Sequence, residues 1–333
     1  MKRIASIIIL CLAYMASIWA DENRYASQSL LSSGRWVKVK VDKSGIYRLT
    51  TADLKKMGFA DISKVSIHGY GGWMLEEDFS QSGYSDDVPS VPVWTDGNVL
   101  FFYAKGPTQW EYDTRTASFI HTNNPYSESG YYFVTDATET NPMKGLASVE
   151  GAVRIIRTFD DYQLWEKDEV AVNESGRELF GESFVSTTSR NFTFTVPNIT
   201  SDDAKVTLRF IAKAVQGRTS VTLSANDSTI INLTVPGNGV GDTYTKAVAV
   251  SGTREWKGTK KEKTTFTVNY GKTGDQNAYL DYIRFQMRRS LSFAGTQMAF
   301  RSTDALNNVS RFQLGNASAN TVVWDITDTQ RPL

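Results

Sequence analysis

A train of short runs that alternate apolar and polar residues, between residues 191 and 287, leaves this chain few folds to choose from. Phe192-Thr193-Phe194-Thr195-Val196 alternates strictly and stops at Pro197. The runs 206–212, 219–223, 229–235, 245–250, 264–270 and 278–287 follow. Turn signals separate them at Asn226-Asp227, Pro236-Gly237-Asn238-Gly239 and Gly271-Lys272-Thr273-Gly274-Asp275. A period of two sets one face of each run against a core and the other in water, as a strand does and a helix does not. Many short strands joined by turns close into a sandwich or a barrel. The long return connections point to a jelly-roll-like β-sandwich over residues 191–320.

The preceding part reads as a small α+β domain over residues 21–150, so the fold class is mostly β. Trp36-Val37-Lys38-Val39-Lys40-Val41 alternates, Asp42-Lys43-Ser44-Gly45 is a turn signal, and Ile46-Tyr47-Arg48-Leu49 starts a second strand. The pair reads as a hairpin. One helix follows: Thr50 or Thr51 caps it, Leu54 and Met57 share a face, and Gly58 stops it. The runs 65–68, 99–104 and 131–134 read as further strands. In Gly69-Tyr70-Gly71-Gly72 the backbone needs positive φ or a close approach. Residues 151–190 form a connector. The run 321–326 reads as a strand, and residues 321–333 as the start of a linker to a missing downstream domain.

Residues 1–20 have the layout of a secretory signal peptide. Lys2 and Arg3 precede an apolar run, and Ala20 offers a small residue for cleavage. Its removal takes the 36 basic residues to 34 against 36 acidic ones, a net charge of −2. That is too near zero to argue for nucleic acid as a partner. Cys11 is the sole cysteine. Without the signal, the chain has no disulfide, no thiolate nucleophile and no cysteine-bound metal.

No motif carries chemistry, so no catalytic, cofactor-binding or metal residue is assigned and no cofactor is expected. His68 and His121 have neither a carboxylate nor a second histidine at ligand spacing, and His68 reads as a partly buried, hydrogen-bonded side chain. Gly271-Lys272-Thr273 ends like a phosphate loop, but Phe266 stands where the earlier glycine is needed. Gly237-Asn238-Gly239-Val240-Gly241 lies between β runs with no helix after it. The acidic groups Glu76-Glu77-Asp78, Asp86-Asp87, Asp160-Asp161 and Asp202-Asp203 lack the alternation of a calcium loop and read as solvated loops. Asp86-Asp87 is the strongest calcium candidate among them. Trp73, Trp94, Trp110, Tyr112, Tyr126, Tyr131 and Tyr132 divide between core packing and a docking or glycan-binding surface.

Several segments resemble the N-terminal region of the type IX secretion system sortases, a family of gingipain-like cysteine peptidases. They include Gly34-Arg35-Trp36-Val37-Lys38-Val39-Lys40-Val41-Asp42-Lys43-Ser44-Gly45-Ile46-Tyr47-Arg48-Leu49-Thr50, then Asp53-Leu54-Lys55-Lys56-Met57-Gly58 and Val65-Ser66-Ile67-His68-Gly69-Tyr70-Gly71-Gly72. Phe101-Phe102-Tyr103-Ala104-Lys105-Gly106-Pro107 and the segment 124–133 continue the likeness, as do 175–182, 278–283 and 323–328. The resemblance implies export to the outer-membrane surface, an outer-membrane protein partner, and secreted cargo. In full length such a protein removes C-terminal signals from cargo and attaches it to surface lipopolysaccharide. The family's catalytic Cys and His lie in a downstream peptidase domain, and no residue here matches either. The expectation is therefore a non-catalytic N-terminal part of a sortase. The alternatives are a self-contained glycan- or protein-binding surface module and a purely structural surface protein.

Overall fold

The computed structural model describes residues 26–333 apart from 79–85, 148, 173–176, 214–216, 238–243, 259 and 274–275. The signal segment 1–20 with Cys11 lies outside the described residues, as do parts of the turns at 236–239 and 271–275. In chain order the first strands are β1 (Val37–Val41), β2 (Gly45–Thr50), β3 (Ser66–Gly71), β4 (Ser90–Val91), β5 (Val93–Asp96), β6 (Val99–Ala104), β7 (Thr108–Asp113), β8 (Ser118–Asn123) and β9 (Gly130–Thr135). The helix α1 (Thr51–Met57) lies between β2 and β3. Then come β10 (Arg154–Ile156), β11 (Thr158–Glu166), β12 (Ser189–Thr195), β13 (Ala204–Ala212), β14 (Thr219–Ala225), β15 (Ser228–Val235), β16 (Val248–Trp256), β17 (Lys263–Gly271), β18 (Ala278–Ser290) and β19 (Ser310–Phe312). No helix among the described residues is long and apolar enough to cross a membrane.

The chain forms two compact units. One takes the described residues up to Gln109, with Ser127–Leu146 and Trp324–Leu333; the other takes Trp110–Tyr126 and Ala147–Val323. The first holds two antiparallel sheets, ordered β1-β9-β3-β4 and β2-β6-β5. Their apolar faces and α1 share one core that includes Val41, Leu54, Phe59, Ile67, Leu100, Phe102, Tyr132 and Val134. Alternation along β1 explains its place: its valines turn toward the core while Lys38 and Lys40 stay exposed.

The helix begins and ends where the sequence reading puts it. The Thr50 hydroxyl accepts from the Asp53 N–H at 3.2 Å, and the Asp53 carboxylate accepts from the Thr50 N–H at 3.0 Å. This reciprocal box satisfies two donors that a helix start leaves open. Gly58, at φ +92°, closes the other end with its N–H directed to Leu54 and Lys55 carbonyls. Thr50→Ala is expected to destabilise this unit by about 1 kcal/mol. Faster hydrogen exchange over residues 51–58 would report it, and unchanged exchange would assign the cap no weight.

The hairpin expected of β1 and β2 does not form. β1 pairs with β9 (Val41 opposite Gly130), whereas β2 pairs with β6 (Gly45 opposite Ala104). Short hairpin turns need positive φ at their central residues, and none of residues 42–45 has it. Instead the segment is gripped from the side: Gly106 donates to Ser44 Oγ at 2.9 Å, and a Cβ on Gly106 would stand 2.6 Å from the Lys43 carbonyl carbon. The strand expected over 321–326 is also absent. Val322 and Val323 are more than half exposed, and these residues join no ladder. Trp324 meets Trp94 edge-on at 6.4 Å.

The second unit carries two four-stranded antiparallel sheets, β11-β18-β13-β16 and β12-β17-β14-β15. The pairs are nested in sequence. β14 pairs with β15, and around that turn β13 pairs with β16, β12 with β17 and β11 with β18. Successive pairs fall on alternate sheets, which is the double Greek key of a jelly roll. The core between the sheets is rich in aromatic residues: Phe192, Phe194, Phe210, Trp256, Phe266 and Phe285 are all buried. The run expected at 245–250 is shifted, with its strand at Val248–Trp256.

Candidate functional site

The β7–β8 hairpin, whose residues Trp110–Tyr126 belong to the second unit, lies there over the outer face of the sheet β11-β18-β13-β16. Asp113 shapes the turn by accepting from the Arg115 N–H at 2.9 Å and the Thr116 hydroxyl at 2.8 Å. Lys205 donates to the Thr116 and Ala117 carbonyls at 3.1 and 2.6 Å. The Phe119 N–H donates to Gln286 Oε1 at 2.7 Å. Trp110 stacks on Tyr162, ring centroids 3.7 Å apart and 14° from parallel.

Strand register orders the residues beneath. Tyr162, Gln286, Lys205 and Glu255 form one row across the sheet; Leu164, Arg284, Thr207 and Thr253 form the next; Glu166, Tyr282, Arg209 and Ser251 form a third. His121 descends onto these rows. Its Nε2 is 3.0 Å from Glu166 Oε2, its ring meets Tyr282 edge-on at 4.6 Å, and its Nδ1 is 3.4 Å from Arg284 Nη1. A guanidinium only donates, so Nδ1 accepts from Arg284. Burial raises the phenols of Tyr162 and Tyr282 above the ordinary tyrosine range and lowers the Arg284 guanidinium.

One carboxylate here responds to pH. Asp281 is 3% exposed and pairs with Arg209, whose other nitrogen is 3.0 Å from Glu178. Burial outweighs the adjoining guanidinium and lifts the Asp281 carboxyl to about 6. Between pH 4 and 6, approximately, the folded chain keeps a proton that the unfolded chain releases, so stability falls as pH rises. Asp281→Asn is expected to flatten that slope in urea midpoints measured at several pH values. A slope unchanged in the variant would assign it to other groups.

A groove of about 360 Å³ opens between the hairpin and the sheet, lined by Asp113, Thr116, Ser118, Ile120, Lys205, Thr253, Arg254, Glu255 and Arg284. Of the residues weighed from sequence, Trp110, Tyr112 and His121 lie on this hairpin, and none of the three lines the groove. His68 is buried and hydrogen-bonded, its Nε2 2.9 Å from Thr138 Oγ1 and its Nδ1 3.3 Å from the Val88 carbonyl. Asp86 and Asp87 accept from the Ala26 and Leu30 N–H groups. Asp160 and Asp161 are ion-paired to Arg288, Arg289 and Arg301 and are not solvated loop acids. Among the described residues no group of three or more His, Cys, Asp or Glu side chains is arranged to hold a metal ion. Of the aromatics, Tyr132 is core, Trp110 is stacked, Trp73 lies under the Lys105 ammonium at 5.0 Å, and Tyr126 is exposed. Sequence spacing gives no sign of the His121–Glu166 pair, because only the docking of β8 on β11 brings the two together.

These features define a class: a jelly roll with a hairpin strapped across one face, in a chain that also carries a smaller two-sheet α+β unit. The chain is similar to dimeric latent PorU from Porphyromonas gingivalis, with a TM-score of 0.78 and 34% identity over 85% of the present chain. The chain is a PorU-like region, and it spans 27% of the length of that PorU chain. A carbohydrate-binding module from Cellvibrio mixtus lichenase 5A also matches, at TM-score 0.19 and 14% identity, over 31% of this chain and 66% of the module. The Cry8Ea1 endotoxin of Bacillus thuringiensis matches at TM-score 0.27 and 9% identity, over 66% and 41%. Likeness that low carries no argument. No protein-family model matches the chain, and neither does any curated protein.

Proposed function

We propose that this chain is the non-catalytic N-terminal part of an outer-membrane-surface sortase of the type IX secretion system. In full length that protein is a cysteine peptidase that removes C-terminal signals from secreted cargo and attaches the cargo to surface lipopolysaccharide. The observation that carries the reading is the match to PorU across 85% of the chain at 34% identity. On this reading the catalytic residues belong to a downstream peptidase domain. The chain's own work is to position or shield that domain, in the company of an outer-membrane protein partner.

The test is a chimera in which these residues replace the corresponding region of Porphyromonas gingivalis PorU in cells lacking their own. Cargo signal removal and surface attachment are expected to return. A chimera that is exported and stable but leaves cargo uncleaved overturns the proposal.

A further inference from the structure

The jelly-roll sheet β11-β18-β13-β16 carries several buried or half-buried arginines, and nearly all of them meet an acid. Arg209 pairs with Asp281 and Glu178. Arg288 stands opposite Asp160 in the ladder and also meets Asp304. Arg289 reaches Asp161 at 2.7 Å. Arg284 is the exception. It is as buried as Arg289, at 7% exposure, but register places it between Leu164 and Thr207. Among the described residues no carboxylate lies within 4.0 Å of it, and its Nε donates to nothing. Its Nη1 meets His121 Nδ1 at 3.4 Å, a contact that brings no negative charge. A buried charge without a close counter-ion is costly, and folded proteins rarely carry one.

Arg284 also lines the groove of about 360 Å³ under the hairpin. The hydroxyl-bearing residues Thr116, Ser118 and Thr253 line it too, with Ile120 as an apolar wall. Lys205 and Arg254 add positive charge at the rim, where Lys205 is already bonded to neutral carbonyls and gains no counter-charge from them. Asp113 and Glu255 are the acids of the lining, so three cations face two carboxylates and the net charge is +1. Asp113 is occupied by its own turn.

We infer that this groove is a binding site for a monocarboxylate, with Arg284 as the residue that grips it. The planar fork of a guanidinium matches the two oxygens of a carboxylate. A net charge of one suits a singly charged acid better than a phosphate dianion. The volume admits a small acid or an acidic side chain with a few flanking atoms. The inference does not depend on the sortase reading.

The experiment is calorimetric titration of the 333-residue chain with three probes: N-acetylglycine, the peptide acetyl-Gly-Glu-Gly-amide and inorganic phosphate. Saturable single-site binding of at least one carboxylate is expected. Preference for N-acetylglycine would identify a free small acid, and preference for the peptide an acidic side chain. Arg284→Gln is expected to weaken binding about tenfold or more, because it removes a charge-assisted bidentate pair. Arg254→Gln, on the exposed rim, should weaken it about two- to threefold through lost screened attraction. If Arg284→Gln does not fold, the rim variant decides the matter, and unchanged affinity there overturns the inference. Failure of both carboxylates to bind, undiminished affinity in a folded Arg284→Gln protein, or phosphate binding as tightly as the acids would also overturn it.

Discussion

Phe285→Ala is expected to destabilise the jelly roll by about 3–5 kcal/mol, the usual range for truncating a fully buried phenylalanine. Phe285 is 0% exposed on β18, which lies between β11 and β13. Its ring meets Phe266 at 5.1 Å, Phe194 at 5.9 Å and Trp256 at 6.0 Å. Phe194 and Phe266 belong to the facing sheet, so the ring joins both layers. The neighbours are rigid aromatics held by paired strands and can collapse little into the space left behind. Each edge-on contact adds to the burial loss. Because a chain with two units does not unfold as one, a single global melt is the wrong reading. Hydrogen exchange of peptides covering β13 and β18 assigns the loss to this unit. A protection loss under about 1.5 kcal/mol, the range of well-tolerated core swaps, would show that the core repacks.

Asp161→Ala is expected to cost about 3–5 kcal/mol, as when one partner of a buried ion pair is removed. Asp161 accepts from Arg289 at 2.7 Å on one oxygen and from Arg301 at 3.3 Å on the other. Arg289 also donates to the Pro197 carbonyl at 2.7 Å and lies over the Phe159 ring at 5.0 Å. Removing the acid leaves Arg289 charged and buried. Removing both charges together, as Asp161→Leu with Arg289→Met, is expected to cost less than the sum of the two single changes. The sign follows from desolvation: a lone buried charge is worse than none. A double-mutant cycle in urea measures the coupling. Strictly additive single effects would mean that solvent reaches the pair. Coupling that persists in 1 M salt would agree with its burial, since exposed pairs are screened there.

Much of the fold was legible because its strands obey one rule. β12, β13, β14, β17 and β18 bury one face against the opposite sheet, so alternation or a long apolar run reveals them. The helix was legible from its cap residues and from Leu54 and Met57, three residues apart on one face. β11 was not, because Asp160 and Asp161 meet arginines where an alternating strand would show apolar side chains. The β7–β8 hairpin escaped notice for a related reason. Its face toward the sheet is mixed, with Trp110, Phe119 and His121 beside polar groups, and no clean period emerges. The groove was the least legible element. In the sequence Arg284, Arg288 and Arg289 are three equivalent basic residues of one strand. Only the register against β11 and β13 shows that two of them meet acids and one does not.

The nested pairing of the jelly roll also dictates when it can exist. β14 and β15 are joined by a turn at Asn226-Asp227 and can zip as soon as both are made, whereas β11 must wait for β18, more than a hundred residues later. Such non-local ladders close slowly, since the chain loses loop entropy before the contacts repay it. During synthesis the early strands therefore remain open-edged until residues near Ser290 emerge. In that interval their bare backbone edges and unburied phenylalanines are most vulnerable to pairing with another chain. Chaperone dependence and aggregation in this protein should accordingly be governed by how promptly β18 arrives, and not by the stability of the finished sandwich.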